Sequence, residues 1–387
     1  MARSRRPHLL VAIDGNIGEW RDTLTSSPDR PRLPLPYAFG AATFNAGFRL
    51  SAIDLDTKTT PANAARRDTA PFDTIFPAHA LASALRATDF ALLWGRSGLS
   101  ALARQAILPQ AKRRLLYFSY AWTAGTNASW LQRSRLEVAR QAARFARGVV
   151  LMTSEQAEAA RATLPRPVPV IALRVGIDCR FYTSATSLSD VAEADRPRVE
   201  RLLQRPYVVM PGDELRLNED ALAVVENSPI NLVRICQFGH RNGIAELRTE
   251  IRRRNLDDRL VIFQRISYPA LRFLMRHAVA YAGLVDASWQ PAGWTAACES
   301  LASGLPVVLY EGLTSRELGR LGAGPNLLRS VPIGDTKAFA DEVQSLAAAR
   351  GKTDLATEAR TFAAERLDLE RTGAAFGQSL TQATGAG

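Results

Sequence analysis

Short apolar runs alternate through most of the chain with longer stretches whose apolar residues recur at helical spacing. That alternation predicts parallel strands covered by helices, not a helical bundle or a β-sandwich. In the first half, residues 9–13, 90–94, 115–119, 149–152 and 168–172 read as strands. Between the last two, Thr153-Ser154-Glu155-Gln156 has the capping-box pattern that opens a helix. Residues 131–147 read as a further helix, whereas the proline-rich, polar stretch 26–70 shows no clear period.

The strand-like pattern fades over residues 183–206, a polar linker running into a short helix, and then starts again. Strands are expected at 207–210, 232–236, 260–263, 279–284 and 306–309, with helices at 242–255, 269–277 and 294–303 between them. The expected organisation is a first Rossmann-like domain at 1–190 and a second at 191–352, followed by a helical tail at 353–387.

The 387 residues, 47% of them hydrophobic, are ample for two packed cores. Three scattered cysteines, Cys179, Cys236 and Cys298, give no CxxC spacing and suggest neither a disulfide framework nor a zinc site. No apolar run reaches the ~18 residues of a membrane span, and the opening residues make a poor signal peptide. A cytoplasmic protein is expected, with peripheral contact at the inner membrane face kept open. The net charge of +11 comes mostly from arginine and favours phosphate-bearing partners. Solvated basic faces account for it equally well. No aromatic and basic interleaving supports nucleic-acid binding, so none is expected.

Residues 288–308, SWQPAGWTAACESLASGLPVV, form the most informative segment. It reads as a loop, a helix starting near Gly293, Trp294 and Thr295, a glycine stop at Gly304 and an apolar strand. A helix start presents free N–H groups and the positive end of a dipole, suited to phosphate or a sugar hydroxyl. Glu299, about a turn further in, is placed to accept hydrogen bonds from a ribose diol. The segment resembles the nucleotide-sugar motif of glycosyltransferase family 4, in which two glutamates separated by seven residues precede a Gly-x-Pro-Val-Val strand. Glu299 takes the place of the second glutamate. Pro291 falls at the first, with Gln290 one residue before it.

Three further stretches resemble the same family in the same order, and together the matches span residues 149 to 325. After the strand at 207–210 come Gly212, Arg216 and Asn218, where the family has a glycine and then an arginine and lysine that neutralise the donor diphosphate. The Gly176-Ile177-Asp178 turn followed by Phe181 and Tyr182 is similar to the stretch that closes the family's first domain. Residues 261–278 resemble the strand, loop and helix bordering the nucleobase, with Arg265 at the family's usual glycine.

The resemblance implies a GT-B fold, two Rossmann-like domains with an interdomain cleft and a C-terminal helix packing back on the N-terminal domain. It implies transfer of a hexosyl group from a nucleoside-diphosphate sugar to a saccharide or lipid-linked acceptor with retention, in a setting such as polysaccharide biosynthesis. The donor is a substrate, and no cofactor is expected. Gly212, Arg216, Arg265, Gln290, Gly293, Trp294, Thr295 and Glu299 are the expected donor-binding residues, and Arg216 and Asn218 are expected to stabilise the leaving diphosphate. The departures at Pro291 and Asn218 leave open a catalytically impaired nucleotide-sugar-binding or scaffold protein. A sugar epimerase on the same fold is a further alternative.

The first domain carries weaker signals. Asp14 stands at the carboxyl end of the first strand, where a catalytic or acceptor-contacting residue projects, and Gly15 opens a glycine-containing loop. Tyr120 and Trp122 suit stacking on an acceptor sugar or packing in the core. Asp54-Leu55-Asp56 spells a DxD, which metal-dependent single-domain glycosyltransferases use, but chance explains it better here and no essential metal is expected. The four histidines read as structural. Arg133, Arg140, Arg144 and Arg147 share one helical stripe, either a solvated face or a docking surface for anionic lipid.

Overall fold

The computed structural model describes residues 6–13, 27–54, 72–77, 83–85, 88–94, 115–119, 122, 130–144, 146–164, 167–212, 216–236, 243–349 and 354–385. They form two compact units. The first contains residues 1–26, 32–176 and 369–387, and the second residues 177–368 with 27–31.

The described part of the first unit holds a seven-stranded parallel sheet. Its strands are β1 (His8–Ile13), β2 (Arg49–Asp54), β3 (Thr74–Pro77), β4 (Phe90–Trp94), β5 (Leu115–Ser119), β6 (Gly148–Leu151) and β7 (Val170–Ala172), in the order β3-β2-β1-β4-β5-β6-β7. Helices α1 (Trp130–Ala143) and α2 (Ser154–Thr163) flank it, and a helical segment runs from Pro34 to Asn45. The expected cap forms, with Thr153 accepting a hydrogen bond from the Gln156 backbone N–H. Strands β2 and β3 lie within or just after the stretch that showed no period. Arg49, Ser51 and Asp54 interrupt the apolar run of β2, and β3 is an edge strand ending in proline.

The second unit repeats the plan with β8 (Tyr207–Pro211), β9 (Asn231–Cys236), β10 (Leu260–Gln264), β11 (Tyr281–Gly283), β12 (Val307–Tyr310) and β13 (Leu328–Val331), ordered β10-β9-β8-β11-β12-β13 and parallel throughout. Besides the short helix Cys179–Thr183, its helices include α3 (Arg196–Leu203), α4 (Asn218–Glu226), α5 (Ile244–Arg253), α6 (Tyr268–His277), α7 (Trp294–Ala302), α8 (Leu313–Arg320), α9 (Thr336–Ala349) and α10 (Leu355–Arg366). Helices on both faces bury the central strands, so β8 and β12 read as continuous apolar runs instead of alternating ones. The edge strand β13 has two apolar residues in four and was not legible as a strand. Val208, Leu222, Leu232, Ile262, Leu284 and Phe339 belong to one continuous core.

The tail is two helices with different attachments. Helix α10 stays with the second unit, where Ile177 N–H donates to Leu367 O at 2.8 Å and ties the entry of that unit to its exit. Helix α11 (Leu369–Thr384) packs on the first unit, as the resemblance implied. Gly373 and Gly377 let it lie close against Ala42 and Ala46, where an added Cβ would stand 2.8 and 2.7 Å from the alanine methyls. Phe376 meets Phe39 edge-on, and Phe39 meets Phe118 of β5 in the same way.

Candidate functional site

A parallel sheet of this order has a switch point where the strand sequence reverses, and the crevice outside the carboxyl ends there is the usual ligand position. In the second unit that point lies between β8 and β11. The chain leaves β8 through Gly212 at φ +115°, a conformation suited to glycine, and an added Cβ would collide with the Arg216 guanidinium. Arg216 then pairs antiparallel with Val285, just past β11, and Leu217 N–H donates to Leu284 O. The two chain segments leaving the switch point are thus held together. The Arg216 guanidinium folds over the end of β8, donating through Nε and Nη2 to Pro211 O at 3.0 and 2.5 Å.

Helix α7 begins beside it. Gly293, its N-cap, has φ +78°, and a Cβ there would lie 2.9 Å from the Tyr281 hydroxyl and 3.6 Å from Arg216 Nη1. Trp294 N–H donates to Pro291 O, and the following amides are those that helix geometry leaves to a ligand. The loop ahead of the helix is fixed by Ala292 N–H donating to Gln290 O and by the Thr314 hydroxyl donating to Ala292 O. Gln290 is half-buried on that loop, Trp294 is buried, and Thr295 is exposed.

Two residues not anticipated from sequence complete the charge pattern. Arg234, in the middle of β9, is fully buried, and its Nη1 donates to the carbonyls of Met210, Gly212 and Ile235. It anchors the end of β8 and adds fixed positive charge beneath the switch point. A cation inside the apolar run NLVRIC was the signal in the sequence, because an arginine is buried in a strand only when something holds it. Tyr281 of β11 is also fully buried, and its hydroxyl has no hydrogen-bond partner among the described residues. Burial raises its pKa, Arg216 lowers it and Glu299 raises it. The phenol therefore feels both the cation and the carboxylate of the site.

Glu299 lies on α7 in a pocket of phenols and thiols. Burial pushes its carboxyl up to about 7, offset in part by the neighbouring Tyr182 hydroxyl. Tyr182 and Tyr268 both feel its charge, and burial is the larger cause of their own raised pKa values. The wall carrying Tyr182 is clamped to α6 by Arg272, which donates to Phe181 O at 2.9 Å and stacks over the Phe181 ring at 4.5 Å.

Gly212, Arg216, Gly293, Trp294 and Glu299 are thus gathered at one end of one sheet. Asn218 opens α4 close behind, with its amide 3.4 Å from where a Cβ on Gly243 would stand. Arg265 follows β10, is exposed, and holds φ +54°, a left-handed conformation unusual for a side-chain-bearing residue and natural for the glycine it replaces in the resembling motif.

Asp14, Gly15, Tyr120, Leu55 and Asp56 lie outside the described residues, as do His79 and His240. Trp122 is a core residue, 1% exposed, with Nε1 donating to the Thr163 hydroxyl, so of its two readings the packed one holds and it is not available to an acceptor sugar. His8 bonds Ser51 and His277 bonds Phe273 O, both structural contacts. Arg140 departs from its stripe, since its guanidinium donates to Trp122 O at 2.8 and 3.2 Å, whereas Arg133, Arg144 and Arg147 remain exposed.

No known family profile and no curated protein matches the chain. Solved structures do. Anabaena HepE in complex with UDP-glucose superposes with a TM-score of 0.70 at 17% identity, covering 97% of this chain and 99% of that one. Sucrose-phosphate synthase from Thermosynechococcus elongatus gives 0.67 at 16% identity over 99% and 100% of the two chains. The α,α-trehalose 6-phosphate synthase from Burkholderia multivorans gives 0.67 at 14% over 98% and 97%. At these identities the likeness establishes architecture, and the chain has the GT-B fold of two Rossmann-like domains.

Proposed function

We propose that this protein is a glycosyltransferase that moves a hexosyl group from a nucleoside-diphosphate sugar to a saccharide or lipid-linked acceptor, with retention at the anomeric carbon. One observation carries the reading: Arg216 and the N-terminus of α7 converge on the switch point while Glu299 lies further along the same helix. Cation and helix start suit a diphosphate, and the carboxylate suits a ribose diol. The HepE structures bind UDP and UDP-glucose on the same architecture, which supports a nucleotide-sugar donor here.

In this scheme Gly212 allows close approach of the backbone, and Arg216, the amides after Gly293 and Asn218 stabilise the departing diphosphate. Glu299 fixes the ribose. Gln290 positions the sugar, Trp294 and Thr295 belong to the helix start that meets the diphosphate, and Arg265 borders the base. The diphosphate itself helps to take the acceptor proton. No metal is required, because guanidinium and helix dipole supply the positive charge. Acceptor recognition belongs to the first unit, with Asp14, Gly15 and Tyr120 as its residues. No helix among the described residues is long and apolar enough to cross a membrane. A lipid-linked acceptor would be met at the surface of α1, where Trp130 is 79% exposed beside Arg133.

A thermal-shift panel of nucleoside diphosphates and their sugars tests the donor assignment, because a ligand bound only by the folded state raises the melting temperature. Arg216→Ala and Glu299→Ala should each weaken the effective ligand at least tenfold. Binding with transfer to an acceptor identifies the transferase. Binding without turnover identifies an impaired nucleotide-sugar-binding protein, and interconversion of the sugar with no acceptor identifies an epimerase. No shift with any nucleotide overturns the reading.

A further inference from the structure

We propose that the second unit carries another small-ligand site, at the opposite end of its sheet from the switch point, and that it takes a small phosphorylated polyol. A cavity of about 240 Å³ lies there, lined by Arg198, Arg201, Arg205, Asn231, Asp257 and Asp258 among others. Asn231 starts β9, and the two aspartates sit in the turn before β10, so the cavity opens by the amino ends of these strands. Its size is below that of pockets for drug-sized ligands, roughly 300–1,000 Å³, and suits a molecule of a few carbons.

The three arginines fall on one stripe of α3 and the residues just after it, at spacings of three and four. Arg198 is committed: its Nη1 donates to Ile262 O at 2.9 Å and its guanidinium stacks over the Phe263 ring at 4.8 Å. Arg201 and Arg205 are exposed and make no side-chain hydrogen bond or ion pair with the described residues. Two cations held at helical spacing repel each other, and a shared phosphate relieves that repulsion with charge-assisted hydrogen bonds.

The second requirement comes from the acceptor side, where Asn231, 3% exposed, forms part of the cavity wall. Asp257 and Asp258 add further acceptors at the rim. A bare anion satisfies the arginines but meets repulsion from the carboxylates, and a neutral sugar leaves the guanidinium charge unanswered. A phosphate ester with free hydroxyls satisfies both sets.

The test is isothermal titration calorimetry of the full chain with glycerol 3-phosphate, inorganic phosphate and glycerol. Glycerol 3-phosphate should bind at least tenfold more tightly than inorganic phosphate, and glycerol should give no measurable heat. The exposed double variant Arg201→Glu/Arg205→Glu should weaken glycerol 3-phosphate at least tenfold, and Arg216→Ala should leave it unchanged. Binding that survives the double variant, binding lost in Arg216→Ala, equal or tighter binding of inorganic phosphate, or no binding of glycerol 3-phosphate each overturns the proposal. Because this site shares no residue with the donor site, its failure leaves the transferase reading standing, and the reverse holds.

Discussion

Gly293→Ala tests the geometry of the switch point most directly. Gly293 has φ +78°, where a side-chain-bearing residue is disfavoured by about 1–2 kcal/mol. The new methyl would also stand 2.9 Å from the buried Tyr281 hydroxyl and 3.2 Å from Val285 Cγ1. Overpacking of that kind adds about 1–3 kcal/mol, so the expected loss is about 2–5 kcal/mol. Gly334→Ala is the control, because Gly334 has φ +83° with nothing within 4 Å of an added Cβ. It should lose only the backbone share, about 1–2 kcal/mol. Tyr281→Phe removes the nearest atom of the clash, and since the hydroxyl is buried without a partner among the described residues its deletion should itself be near neutral. In that background the Gly293→Ala loss should shrink by about 1 kcal/mol. Urea unfolding followed by tryptophan fluorescence measures all four proteins. The reasoning fails if Gly293→Ala is no more costly than Gly334→Ala, or if its cost is the same with tyrosine and phenylalanine at 281.

Three more expectations follow from the same coordinates. Glu299 has its folded pKa raised from 4.5 to about 7, so the native state holds the proton more tightly and stability should fall as pH rises between those values; Glu299→Gln should flatten that slope in urea midpoints taken across the window, and an unchanged slope would refute the assignment. Arg265→Gly should raise stability by up to about 1 kcal/mol, because it releases the left-handed conformation of an exposed residue; a clear loss would mean that the side chain is held in place. Thr153→Ala should cost about 1 kcal/mol by removing the cap of α2, read from the thermal or urea midpoint of the first unit, with no effect on nucleotide binding.

The sequence by itself determined the architecture, since strands buried on both faces must be apolar along their length and the helices between them must show a helical period. It also singled out Gly212, Arg216 and Glu299, through the resemblance of the segments that carry them to a nucleotide-sugar motif. It left β2, β3 and β13 unread, where polar residues, a terminal proline or an edge position break the apolar signal. What only the tertiary structure decided was proximity. Strand order places β8 beside β11, so residues 77 positions apart, Arg216 and Gly293, come within a side chain's reach. The buried Arg234, the unpartnered phenol of Tyr281 and the packed indole of Trp122 are likewise products of the fold. Burial and the identity of a neighbour across a sheet are set by long-range packing, which no local pattern of residues encodes.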